Sequence, residues 1–152
     1  MKSILFFIAI ITIMLACNQA DTKATTGASD STASINSEKA LNDSINYTSI
    51  QWLDSIHQEL GKIEEGQTPE ITWKFKNTGN KPLIVINAQG TCGCTVAEKP
   101  EQPIAPGEEG VIKAKFSSEG RLGTNEKQVI VTTNTKGTTA HYLGFKVEVE
   151  KK

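Results

Sequence analysis

Two of the three cysteines in this sequence, Cys92 and Cys94, are separated by a single glycine. In a flat strand, residues i and i+2 share a face with Cα atoms ~6.5–7 Å apart. That is at or beyond the ~6.8 Å limit for a disulfide, so bonding them needs Gly93 to bend the chain. The pair admits three chemistries. It is a close structural disulfide or two buried thiols, an exchangeable redox couple, or a pair of thiolate ligands for Cu(I) or Zn(II). A metal would need further ligands, and His57 and His141 lie far from the motif in sequence. The C-x-x-C spacing at a helix start, which lowers a thiol pKa, is missing.

The third cysteine sits in a different context. Lys2 precedes an apolar run of 13 residues, Ile4 to Ala16, broken only by Thr12 and followed by Cys17. A bilayer span takes ~20 apolar residues, so the run has the length of a signal-peptide core instead. Ala16-Cys17 resembles the lipobox of bacterial lipoproteins, with Met14 standing where that pattern prefers Leu. The resemblance implies a signal peptide over 1–16 and lipidation of Cys17 by palmitate-type acyl chains. The mature chain would keep 136 residues (152 − 16) and a net charge of −2, the overall −1 less the +1 of Lys2. Each buried methylene contributes ~0.8 kcal/mol, so two or three chains hold a protein firmly on a membrane. The expected location is the cell envelope, lipid-anchored at the outer membrane, where disulfides persist.

The rest of the composition narrows the function classes. Lys and Arg number 16 against 17 Asp and Glu, with no dense basic block, which argues against nucleic-acid binding. Residues 17–46 are rich in Ser and Thr, with no aromatic and only Ile35, Leu41 and Ile45 as large apolar residues. Such a stretch reads as a disordered tether of ~30 Å end-to-end distance. Asp30-Ser31-Thr32, Asp43-Ser44-Ile45 and Asp54-Ser55-Ile56 look like the O-glycosylation sites of Bacteroidota-type envelopes.

Period-2 alternation begins after about Tyr47. Ile71, Trp73 and Phe75 alternate with polar neighbours, as do Ile112, Ala114 and Phe116, and then Leu143, Phe145, Val147 and Val149. The run Leu83 to Ile86 predicts a strand buried on both faces, and Val129 to Val131 predicts another strand. Asn77 to Pro82 reads as a hairpin closure with Gly79 at positive φ, and Pro106-Gly107 as the centre of a type II turn. The pattern predicts one β-sandwich of immunoglobulin type over 47–152, with about seven strands and no long helix. Its expected core is Trp52, Ile71, Trp73, Phe75, Leu83, Val85, Ile112, Phe116, Val129, Val131, Phe145 and Val147. His57, His141 and Arg121 read as surface or satisfied residues. Glu64-Glu65 and Glu108-Glu109, beside turn glycines, read as solubility features.

Six segments occur in order: Gly61 to Gly66, Phe75 to Gly79, Pro82 to Ile84, Cys92 to Thr95, Pro103 to Gly107 and Gly110 to Ile112. Together with Lys127 to Asn134 they resemble a bacterial immunoglobulin-like family, domain of unknown function 1573, across about Trp52 to Val149. The resemblance implies a PapD-like or Hydin-like sandwich, frequent on envelope lipoproteins, and brings no catalytic residue. No nucleophile stands with a base in the sequence, so no enzyme activity and no cofactor is expected. The expected function is a non-enzymatic interaction or structural module, held on the membrane by Cys17 and binding another envelope protein or a surface component. The alternative is a thiol redox or soft-metal-handling protein using Cys92 and Cys94.

Overall fold

A computed structural model describes residues 44–152, so the expected signal peptide, Cys17 and nearly all of the tether lie outside the described residues. A short 3-10 turn, Ser44–Asn46, leads into eight strands. They are β1 (Ile50–Trp52), β2 (His57–Glu64), β3 (Glu70–Asn77), β4 (Val85–Gly90), β5 (Thr95–Glu98), β6 (Glu109–Phe116), β7 (Gly123–Thr133) and β8 (Ala140–Glu150). One sheet has the order β1-β3-β6-β5 and the other β2-β8-β7-β4. This is the ABED and CFG pairing of an immunoglobulin sandwich, with the first strand split so that β2 joins β8 in parallel.

The alternating strands formed as their patterns dictate. Inward residues of β3, β6, β7 and β8 interdigitate into one core that includes Trp73, Phe75, Phe116, Val129, Leu143 and Phe145, all without solvent exposure. Phe145 meets Phe116 edge-on at 5.5 Å and lies 6.5 Å from Trp73, joining the two sheets through aromatic contacts. Cys94, Ala114, Leu143 and Val149 complete the core beyond the expected set. Trp52 is half-buried instead, because β1 is an edge strand; its ring lies against Phe75 and His141.

Two expectations are corrected, and the strand count is made exact. The count is eight strands, because β1, β2 and β5 are too short or too irregular to show an alternating signature. The apolar run Leu83 to Ile86 is not a strand buried on both faces. It leads into β4 at a sheet edge, with Ile84 and Ile86 half-buried and a register shift between Val85 and Asn87. The segment Asn77 to Pro82 closes no hairpin; it carries the chain from one sheet to the other. Gly79 is needed there for space rather than for φ, since a Cβ would stand 2.0 Å from Thr48 Oγ1 and 2.6 Å from Ser49 N. The type II turn is as expected: Gly107 has φ +83° and Glu108 N donates to Ala105 O at 3.0 Å.

Where the N-terminal segment enters, buried polar side chains do the joining. Asn77 is fully buried; its Nδ2 donates to Lys81 O at 2.8 Å and Ile104 O at 2.9 Å. Its Oδ1 accepts from Thr48 Oγ1 at 2.9 Å and Gly79 N at 3.1 Å. Asn134 donates through Nδ2 to Asn46 O and Pro82 O, and its Oδ1 accepts from Ile84 N. Thr48 N donates to Asn134 O at 3.1 Å, and Lys136 N donates back to Thr48 O at 3.0 Å. The incoming chain is thereby bonded to the ends of both sheets.

Candidate functional site

The cysteine motif lies in the crossover from β4 to β5, which links the edge strand of one sheet to the edge strand of the other. Thr91 N donates to Gln128 O at 3.0 Å, extending β4 by one residue, and the chain then turns. Thr95 N donates to Cys92 O at 3.2 Å and closes that turn, while Ser117 N donates to Cys94 O at 2.9 Å. Turning brings the two Cα atoms to 5.2 Å, inside the disulfide range that a flat strand exceeds, and the structure joins the sulfurs. Cys94 is buried and Cys92 half-buried, and Thr95 Oγ1 lies 3.6 Å from Cys92 Sγ and 3.8 Å from Cys94 Sγ. The lack of a side chain at Gly90 lets the strands meet, since a Cβ there would stand 2.2 Å from Thr95 O.

The other sequence candidates are dispersed. His141 sits on β8 where the N-terminal segment enters, with Nε2 3.1 Å from Thr133 Oγ1 and 3.0 Å from Thr135 Oγ1. Burial lowers its pKa, because the charged form loses solvation there. His57 pairs with Glu126 at 3.3 Å on the outer face of the β2-β8-β7-β4 sheet, its ring over Gly144. Among the described residues no three His, Cys, Asp or Glu side chains gather as a metal-binding group. Glu65 and Glu108 hold turns by accepting from Gly120 N and Ala105 N, a role the solubility reading missed. Arg121 bonds Glu119 O within its own loop. Asp54 accepts from Lys74 N and Ser55 bonds the His57 backbone, so both side chains hold the β1–β2 corner.

A three-residue disulfide loop removes little chain entropy, roughly 1.5 kcal/mol by loop-closure arithmetic. The domain is therefore expected to fold without it. A Cys92→Ala/Cys94→Ala variant should keep the β-sheet circular dichroism of the native chain and melt about 6–12 °C lower. Loss of folding in that variant would show the bond to be a main staple of the domain.

The two edges beside the crossover differ from the others in how they are covered. Leu83 N donates to Ile104 O and Ile104 N to Leu83 O, both at 2.9 Å, forming an isolated antiparallel bridge. Beyond that bridge, among the described residues, β4 pairs on one side only, with β7. Because Thr91 N bonds Gln128 O, alternation turns the N–H and C=O of Ala88 and Gly90 away from β7, toward the open side. Ala88, Cys92, Ala97 and Ile104 are partly buried here and pack against the core from this flank. Sequence reasoning singled out the cysteines and missed the edge, because which strands lie at edges depends on long-range order.

A family model described as Protein of unknown function (DUF1573) matches residues 50–149. Comparison with curated proteins finds no relative. Among solved structures, a protein of unknown function from Porphyromonas gingivalis W83 superposes with a TM-score of 0.60 at 15% identity. That match covers 70% of this chain and 49% of the other, so the chain spans about half of that protein. The ASH / PapD-like domain 7 of human CEP192 gives a TM-score of 0.48 at 14% identity, covering 70% of this chain and 87% of that one. The secreted serine protease VesC from Vibrio cholerae also gives 0.48, at 15% identity, over 72% of this chain and 24% of its own. At these identities the first likeness concerns fold alone.

Proposed function

Because the chain belongs to the DUF1573 family of proteins of unknown function, we propose that it is a lipid-anchored, non-enzymatic interaction module of a bacterial cell envelope. In this reading residues 1–16 are removed, Cys17 carries the acyl chains, 17–46 form the tether and 47–152 form the binding domain. The partner is another envelope protein or a surface component. The observation that carries the reading is the bonding of the incoming chain into both sheets, by Thr48 to Asn77 on one side and to Asn134 on the other. Tension arriving through a tether would be shared by the whole sandwich and not peel off β1. The thiol alternative has less support: sulfurs bonded to each other hold no metal, and burial of Cys94 keeps exchange partners from its sulfur.

Fractionation tests the anchor. The native chain expressed in a lipoprotein-processing bacterium should sediment with membranes and be released by detergent but not by high salt. Cys17→Ser should leave the pellet nearly completely, because no acyl chain remains to be buried. A Cys17→Ser chain that still sediments, or a native chain that is soluble, would overturn the anchoring.

A further inference from the structure

We propose that His141 is an acid-sensitive latch, whose protonation loosens the N-terminal segment and β1 from the rest of the sandwich. The inference goes beyond the interaction-module reading and needs neither a partner nor an anchor.

The hydroxyl hydrogens around His141 fix the tautomer of its ring. Thr135 Oγ1 donates its one hydrogen to Thr138 O. The 2.8 Å contact between Thr133 Oγ1 and Thr135 Oγ1 therefore takes the hydrogen of Thr133. Neither hydroxyl then has a hydrogen left for His141 Nε2, which lies 3.1 Å from the first and 3.0 Å from the second. Every contact is satisfied only if the Nε2–H group donates to both oxygens. The neutral ring thus carries its hydrogen on Nε2, and an added proton goes to Nδ1.

The surroundings do not suit the cation that this makes. β7 brings the fully buried Thr133 to the ring, the loop after it brings the buried Thr135, and β1 brings Trp52. The charged residue of that loop is Lys136, which has the wrong sign, and Asp54 beyond β1 accepts from Lys74 N. No ion pair among the described residues includes His141. The shift of its pKa comes from burial and is downward.

Those same neighbours attach the N-terminal segment. Thr48 and Thr135 form an isolated parallel bridge, with Thr48 N bonded to Asn134 O and Lys136 N to Thr48 O. β1 has three residues, and its Trp52 ring lies against the imidazole. Water reaches a charged ring if residues 44–52 lift away, while β3, β6 and β5 stay paired. The open ring binds a proton better than the closed one, so acid shifts the population toward the open state. Because burial lowers the pKa, the closed state is fully favoured above the ordinary 6.5 and gives way as pH falls below it. In an anchored chain, freeing these nine residues would lengthen the tether by up to ~30 Å.

An NMR titration of the purified full chain tests the latch, with hydrogen exchange read at the Thr48 and Ser117 amides. His141 should titrate below 6.5, with the added proton on Nδ1. Between about pH 7.5 and about pH 5, opening at Thr48, corrected for intrinsic exchange, should rise roughly threefold or more. Ser117, bonded to Cys94 O at the other end of the sandwich, should change little. His141→Gln keeps an N–H for the two threonines and cannot gain the charge, so its Thr48 opening should stay flat. The native titration decides the matter even if that variant folds poorly. A pKa at or above 6.5, as a carboxylate upstream of Ser44 or the face of Trp52 would give, would overturn the latch. Thr48 opening that ignores pH, or that rises as much in His141→Gln, would do the same. An equal rise at Ser117 would mean that acid loosens the whole fold, and would equally overturn it.

Discussion

Asn77→Ala is expected to cost about 3–5 kcal/mol of stability, from the loss of side-chain hydrogen bonds at a fully buried position. The variant orphans Lys81 O as an acceptor and Thr48 Oγ1 and Gly79 N as donors, and takes one of two donors from Ile104 O, which keeps Leu83 N. Each such group costs ~1–3 kcal/mol when it stays dry, and the more exposed of them recover water. Against a total of ~5–15 kcal/mol for a natural domain, this is a large share. Asn77→Asp should be no better, because it puts a carboxylate against the two carbonyls that now receive N–H bonds. Denaturant titration of the three proteins measures the differences. A loss under 1 kcal/mol for Asn77→Ala would mean that the N-terminal segment contributes little to holding the domain.

The second large effect lies in the core. Phe145→Ala should destabilise the domain by about 3–5 kcal/mol, since it opens a cavity between the sheets where Phe145 meets Phe116 and Trp73. Phe145→Leu keeps most of the volume and should lose less than half as much. Tyr142, three residues earlier on the same strand, is 58% exposed, and its replacement by alanine should change stability by no more than ~0.5 kcal/mol. The three variants together read out the alternation of β8 in thermal unfolding. A similar loss for Tyr142→Ala and Phe145→Ala would contradict the inward and outward assignment.

The sandwich was legible in the sequence wherever alternation was sustained. β3, β6 and β8 each carry at least three inward apolar residues at period 2, and their patterns survive intact. β2 was not legible because its inward residues, Gln58, Leu60 and Ile63, change phase at the Gly61 bulge and pair in parallel with a strand more than 80 residues away. The apolar run at Leu83 misled for a related reason. Leu83 is covered by the Ile104 bridge and Val85 by the core, while Ile84 and Ile86 are only half-buried, so strong apolarity marked an edge and not a centre.

The candidate site was legible in part. The Cys-Gly-Cys spacing limited the chemistry to a few forms, and only the turn closed by Thr95 N shows how a bond between them is reached. Asn77 looked like a turn former, because residue type says nothing about which distant backbone groups it or Asn134 will satisfy. The open flank of β4 follows from strand order, which single-sequence periodicity does not contain.

The N-terminal segment is held by both sheets, by Asn77 at the end of one and Asn134 at the end of the other. Residue-by-residue hydrogen exchange on the purified chain tests this most directly. The Thr48 and Lys136 amides, which donate to Asn134 O and Thr48 O, should exchange about as slowly as the β7–β8 ladder in the native chain and lose most of that protection in Asn77→Ala. Fast exchange at both amides in the native chain would contradict it.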